Sequence, residues 1–171
     1  HGYWLGDDDP SWHAFDPALC QELVLLFSGL TVTDLGCGDG SYVHAFCRAG
    51  IDGDGYDGNQ NNPCYCRDLS VPQQLRSRDW VLCLEVGEHI HADDEPALIS
   101  NIAALCSGKL VLSWARPGQG GKRHVNEKHA EDVVKIFEKA GFKFDSEASQ
   151  ILRKTADIPW FQENLFAFTR S

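Results

Sequence analysis

The sequence predicts an α/β fold in which helices cover a mostly parallel sheet. Two observations carry this reading. Short apolar runs of strand character alternate along the chain with segments whose apolar residues recur at helical spacing, the pattern of right-handed strand–helix–strand crossovers. Residues 32–40, VTDLGCGDG, then join a strand to a helix through glycines spaced GxGxG, a turn that lets backbone come close to a bound ligand. With 171 residues the chain can bury a full core, and one domain is expected, a cap or lid over 1–29 and a core over 30–171.

The opening segment, HGYWLGDDDPSWHAFD, is rich in aromatics and acids without a period. Leu19, Leu23, Leu26 and Phe27 fall at helical spacing over 17–27, with Asp16 as N-cap and Pro17 at the first helical position. Strand one is expected over 31–35 and its helix over 41–49. Strand two ends at Asp57, GNQNNP forms a loop, and a short third strand is expected around 66–69. Asp79 leads into the fourth strand, 80–84, and a helix over 95–105 follows, with Pro96 at its start and Gly108 as its stop. Strand five is expected over 109–114, whose apolar run Leu110, Val111 and Leu112 has the character of a strand covered on both faces. The next helix is expected over 126–140, closed by Gly141, with Val133, Val134, Ile136 and Phe137 toward the sheet. The sixth strand begins with 142–144 or 148–152, and 165–169 is the seventh. Joined without a helix, these last two are expected as an antiparallel hairpin at one edge.

The formal net charge is −10, and no Lys/Arg cluster exceeds the pair at Lys122 and Arg123. Such a chain is poorly suited to nucleic acid, whose affinity rests on phosphate attraction; small molecules or basic peptides fit better. Seven cysteines, odd in number and mostly inside apolar runs, read as reduced and buried, which points to the cytoplasm. Cys64 and Cys66 lack the spacing of a zinc site, no Asp/Asn cluster at ligand spacing stands out after strands four and five, and no metal is expected. No stretch reaches the length of a membrane span, and no signal peptide opens the chain.

The ligand class comes from GDGYDG at 53–58, whose Asp57 lies 19 residues after Gly38. An acidic side chain at the end of a second strand is placed to accept both hydroxyls of a ribose. The glycines depart from the dinucleotide fingerprint GxGxxG, and no GK[ST] follows to make a P-loop. In an open α/β sheet the ligand sits outside the carboxyl ends of the strands. That rule selects Gly36, Cys37, Gly38 and Gly40, Asp57 and Gly58, Asp68 and Leu69, residues 85–89 and residues 116–124.

With the strand ending DLGCGDG, Asp57, RDLS at 67–70, CLEVGEHI at 83–90 and LSWARPGQGG at 112–121, the chain resembles the class I, seven-stranded Rossmann-like S-adenosylmethionine-dependent methyltransferases. The resemblance spans most of 30–171 and implies a three-layer sandwich whose last strand is antiparallel. It implies that S-adenosylmethionine is the cofactor and S-adenosylhomocysteine the product. Asp34 and the glycines would hold the methionine end, Asp57 the ribose, Asp68 the adenine amino group with Leu69 beside it, and the backbone at Glu85 and Val86 the amino acid portion. The alternative for Asp34 and Asp68 is that they merely cap the turn and the following loop.

Methyl transfer from a sulfonium needs an aligned nucleophile and, where it carries a proton, a base. His124, in the loop after strand five, is the preferred base, with His89 and His13 behind it; alternatively His124 and Asn126 cap the next helix. His44 and His129 read as packing or surface residues. The aromatic opening segment reads as a lid over the acceptor or as a plug of the sheet edge. Glu85 and Glu88 form a carboxylate pair at the same mouth. The acceptor is expected to be an oxygen or nitrogen of a small molecule; a protein or peptide acceptor, or a catalytically silent cofactor-binding subunit, is the alternative.

Overall fold

The computed structural model describes residues 14–60 and 64–171. In chain order its elements are α1 (Pro17–Phe27), β1 (Thr31–Leu35), α2 (Ser41–Arg48), β2 (Asp52–Asp57), β3 (Tyr65–Cys66), β4 (Arg78–Cys83), α3 (Glu95–Leu105), β5 (Cys106–Ser113), α4 (Ala130–Lys139), β6 (Phe142–Phe144), α5 (Ser146–Thr155), α6 (Phe161–Asn164) and β7 (Leu165–Arg170), with a short 3₁₀ turn at Gly87–His89. The strands form one seven-stranded sheet in the order β3-β2-β1-β4-β5-β7-β6. β3, β2, β1, β4 and β5 run parallel, whereas β7 is antiparallel to both β5 and β6. This is the class I methyltransferase fold.

The three layers follow from side-chain alternation along buried strands. Val81 and Cys83 of β4, Leu110 and Leu112 of β5, and Phe166 and Phe168 of β7 point to one face, where Leu98 and Ile102 of α3 and Val133 and Phe137 of α4 cover them. Trp80, Leu82, Val111, Leu165 and Ala167 point to the other, beneath Leu19 and Leu23 of α1, Phe46 of α2 and Leu152 of α5. Each of these faces buries large side chains completely, which at about 1.5–3 kcal/mol per residue makes the sheet a fixed platform. The strand order reverses between β1 and β4, so a crevice opens at their carboxyl ends.

The structure corrects several boundaries. Residues 146–155 are helix α5, capped by the Asp145 carboxylate on the Ala148 amide, and α6 follows, so β6 and β7 pair without forming a simple hairpin. β3 stops at Cys66, because Asp68 turns the chain by accepting from the Ser70 amide and hydroxyl. β4 begins at Arg78 and β5 at Cys106, the latter directly from the end of α3. Gly108 is therefore no helix stop: a Cβ there would lie 2.6 Å from the Asp79 carbonyl oxygen, so glycine permits the close pairing of β5 with β4. α4 begins only at Ala130, since the preceding backbone is spent elsewhere: Val125 and Asn126 donate to the Glu88 carbonyl, and Lys128 donates to that of Ala115.

The cysteine reading also changes. Cys37 and Cys64 are joined by a disulfide, and Cys47 and Cys66 are exposed; only Cys20, Cys83 and Cys106 are buried free thiols. Parallel pairing of β2 with β1 on one side and with β3 on the other sets Tyr56 beside both Leu35 and Tyr65 and brings the two bonded residues together, which spacing along the chain does not reveal. The cysteines no longer argue for a reducing compartment. Among the described residues, no helix is long and apolar enough to cross a membrane.

Candidate active site

The first half of the site is the turn after β1. Gly36, Gly38 and Gly40 have φ of 82°, 52° and 78°, the left-handed region in which a Cβ is strained. A side chain on Gly36 would also strike Val86 at 2.2 Å, so this turn packs directly on the one after β4. The Gly36 and Cys37 amides donate to the Tyr56 carbonyl, and Asp57 accepts from the Gly38 amide at 3.0 Å and from the Asn59 amide at 2.8 Å. Asp57 thus locks the turn to β2, and each of its oxygens retains a lone pair for a further donor. The Cys37 side chain lies under Gly55, leaving only its backbone to the turn.

Asp34, the penultimate residue of β1, lies before this turn and is 3% exposed. Burial, reinforced by Asp57 and Asp39, raises its carboxyl to about 8. Asp68 caps its own loop, as one of the two sequence readings held, and Leu69 beside it is buried, its carbonyl accepting from Asn101.

The second half is built by the chain after β4 and β5. Gly87 lies against the Trp114 ring, where a Cβ would stand 2.5 Å from the ring carbons. Trp114 in turn donates its indole N–H to the Asn126 carbonyl at 2.7 Å. Together with the bonds from Val125 and Asn126 to Glu88, this folds the loop back and sets the His124 ring edge-on to His89, with centroids 5.0 Å apart. His124 Nδ1 lies 3.0 Å from Glu127, whose other oxygen accepts from the Gly118 amide. Neither His124 nor Asn126 caps α4, whose N-cap residue is the exposed His129. His44 and His91 are exposed, and His13 lies outside the described residues.

Glu85 has φ of 55°; its amide donates to Ser113 Oγ, which returns its hydroxyl to Glu85 Oε1. Asn164 Nδ2 donates to the same oxygen at 3.1 Å. Burial raises the Glu85 carboxyl, and these two bonds pull it partly back. Glu88 is fully buried, and neither of its carboxylate oxygens has a hydrogen-bond partner. Burial first, then the charge of Glu85, pushes its carboxyl well above the usual range. Burial lowers His89 to about 4, so its ring is neutral at pH 7. Glu85, His89 and His124 open on one cavity of about 380 Å³, also lined by Ala14, Gln119, Lys122 and Trp160.

The glycine turn, Asp57, Glu85, His89 and His124 therefore converge at the carboxyl edge, while Asp68 caps its own loop and Leu69 is tied to Asn101 of α3. Sequence reasoning missed Ser113, Glu127, Trp160 and Asn164. Asn164 was discoverable in principle, because β7 runs antiparallel and its first residue, Leu165, sits opposite Ser113 at the mouth.

No family model matches the chain, and no curated protein does. Solved structures do. A TehB-like SAM-dependent methyltransferase from Corynebacterium glutamicum superposes with a TM-score of 0.70 at 17% identity, over 90% of this chain and 88% of that one. The N-methyltransferase NodS from Bradyrhizobium japonicum, in complex with S-adenosylhomocysteine, gives 0.69 at 15% identity, over 96% and 93%. Magnesium protoporphyrin IX methyltransferase from Synechocystis PCC 6803, with bound SAM, gives 0.66 at 23% identity, over 89% and 78%.

Proposed function

We propose that the chain is an S-adenosylmethionine-dependent methyltransferase acting on an oxygen or nitrogen of a small molecule. The observation that carries this reading is the junction of the glycine turn, locked by Asp57, with a cavity lined by His89 and His124 at the strand-order reversal. The residues fit the cofactor: Gly36, Gly38 and Gly40 keep side chains off the turn, and the Asp57 oxygens have capacity for the ribose hydroxyls. Bound S-adenosylmethionine supplies an electrophilic methyl group. Several of the similar structures carry S-adenosylmethionine or S-adenosylhomocysteine, and their named acceptors are small molecules.

Asp34 faces the cationic methionine end, Asp57 the ribose, and the cavity receives the acceptor. His124, oriented by Glu127, takes the acceptor's proton or orients its lone pair, while the neutral His89 shapes the wall beside it. Among the described residues, Glu85 and Glu88 display no acidic mouth for a basic peptide, because Glu88 is buried and Glu85 is held by Ser113 and Asn164. That favours the small molecule.

Titration with S-adenosylhomocysteine tests the cofactor assignment. Asp57→Ala should weaken binding by about 1.5–3 kcal/mol, as for hydrogen bonds to a charged group. Unchanged affinity removes Asp57 from the site. With an acceptor found by screening for labelled methyl transfer, His124→Ala should lower turnover by roughly 100-fold while cofactor affinity holds within a few-fold.

A further inference from the structure

Glu88, His89 and His124 place one potential ligand atom each within 4.8 Å of one another. Two features set this cluster apart from an incidental grouping. Glu88 is fully buried with both oxygens lacking a hydrogen-bond partner, a condition that native interiors avoid because the desolvation is not repaid. Both imidazoles are also held through Nδ1, His124 by Glu127 at 3.0 Å and His89 facing the Arg123 carbonyl at 3.4 Å. A carboxylate or carbonyl on Nδ1 fixes the tautomer that offers Nε2 to a metal. The Glu85 carboxyl, held by Ser113 Oγ and Asn164 Nδ2, opens on the same cavity as His89 and His124.

We propose that Glu88, His89 and His124 bind a divalent first-row cation at the floor of the acceptor cavity, with Glu85 beside it as a fourth or bridging carboxylate. The donor set of imidazole nitrogen and carboxylate oxygen suits Mn²⁺, Fe²⁺ or Zn²⁺ better than a cation that prefers oxygen alone. Ligand bonds of about 2.0–2.2 Å require only a short inward rotation of side chains already this close. Glu127 acts as a positioning residue through His124.

Resting on the methyltransferase reading, this site specifies the acceptor: a hydroxyl, and preferably a second oxygen donor next to it, that completes the cation's coordination. The cation acidifies that hydroxyl, whose proton leaves to water. The C–O bond then forms as the C–S bond breaks and its electron pair returns to sulfur. His124 is on this account a ligand and not the base. The expectation of a metal-free site, drawn from sequence, overlooked the cluster because His124 lies 35 residues beyond His89 and only the loop fold joins them.

Metal-free protein titrated with Mn²⁺ and with Zn²⁺, by calorimetry and by water-proton relaxation for Mn²⁺, tests the site directly. One ion per chain is expected, with affinity at least tenfold lower in both Glu88→Gln and His124→Ala, and lowered by about tenfold or more in Glu127→Gln. Glu88→Gln keeps the shape of the buried side chain, and His124 lies on a loop, so circular dichroism should show both variants folded. Absence of binding by the parent chain at millimolar metal, or equal affinity in both variants, overturns the site. S-adenosylhomocysteine titrated into the same samples separates the two proposals: its retention with no metal binding overturns only the cation, and metal binding without it overturns only the cofactor reading.

Discussion

Asp34 makes the strongest case at the scale of a single residue. Its carboxyl, raised to about 8 by burial from the ordinary 3.8, keeps a proton in the folded chain that the unfolded chain loses above about pH 4. Folding therefore holds the extra proton between those values, and this group lowers stability as pH rises through the window. Asp34→Asn should flatten that slope, so its melting temperature relative to the parent should climb from pH 5 to pH 8. A variant equally destabilised at every pH would show that the carboxyl is not the source. The same protonation opposes a cationic ligand, so the affinity of S-adenosylmethionine, which carries a fixed sulfonium charge, should rise toward pH 8 in the parent relative to that of uncharged-sulfur S-adenosylhomocysteine, and this difference should stay flat in Asp34→Asn. Gly121 gives a second test: a Cβ there would stand 2.1 Å from His124 Nε2, yet the obstacle is a side chain that can move. Gly121→Ala should fold normally while displacing His124, seen as loss of turnover or metal affinity with an unchanged melting temperature. Asp57 and the glycines were legible because turn chemistry is local; the partnership of Glu85 with Ser113 and Asn164 was not, because it joins three distant stretches through the sheet.

At the scale of elements, the sequence fared best where a cap and a period agreed. Asp16 and Pro17 marked the start of α1, and the Asp16 carboxylate does accept from the Leu19 amide. What the pattern hides is its other oxygen, which accepts from the Asp157 and Ile158 amides at 2.8 Å each, tying α1 to the segment before α6. Asp16→Ala should cost about 2–3 kcal/mol in denaturant unfolding, roughly one for the cap and up to one for each of the two partly buried amide bonds. A loss near 1 kcal/mol would mean that only the cap matters. Since Ala14 and Trp160 flank these bonds and line the cavity, the variant should also disturb the acceptor side. The missed α5 has the opposite cause: Ser149 and Leu152 alone are buried on it, too few to separate helix from strand by period, and Asp145 as cap was the overlooked signal.

At the scale of the molecule, parallel order and switch point place the ligand where β1, β2 and β4 end together, so occupancy links elements that otherwise meet only through the sheet. A ligand bound solely by the folded state adds RT ln(1 + [L]/Kd), about 2.7 kcal/mol at a hundredfold excess over Kd. For a chain of this length each kcal/mol moves the midpoint by about 2–4 °C, so saturating S-adenosylhomocysteine should raise it by roughly 5–10 °C. Asp57→Ala should lose most of that rise while its ligand-free midpoint falls by only a few degrees, because the side chain anchors a surface turn and not the core. Divalent cation added separately should give its own increment, retained in Asp57→Ala and lost in Glu88→Gln, since the two groups lie on opposite halves of the site. An equal ligand-induced rise in the parent and in Asp57→Ala would place the cofactor away from the strand reversal, and with it would fall the inference from topology to binding.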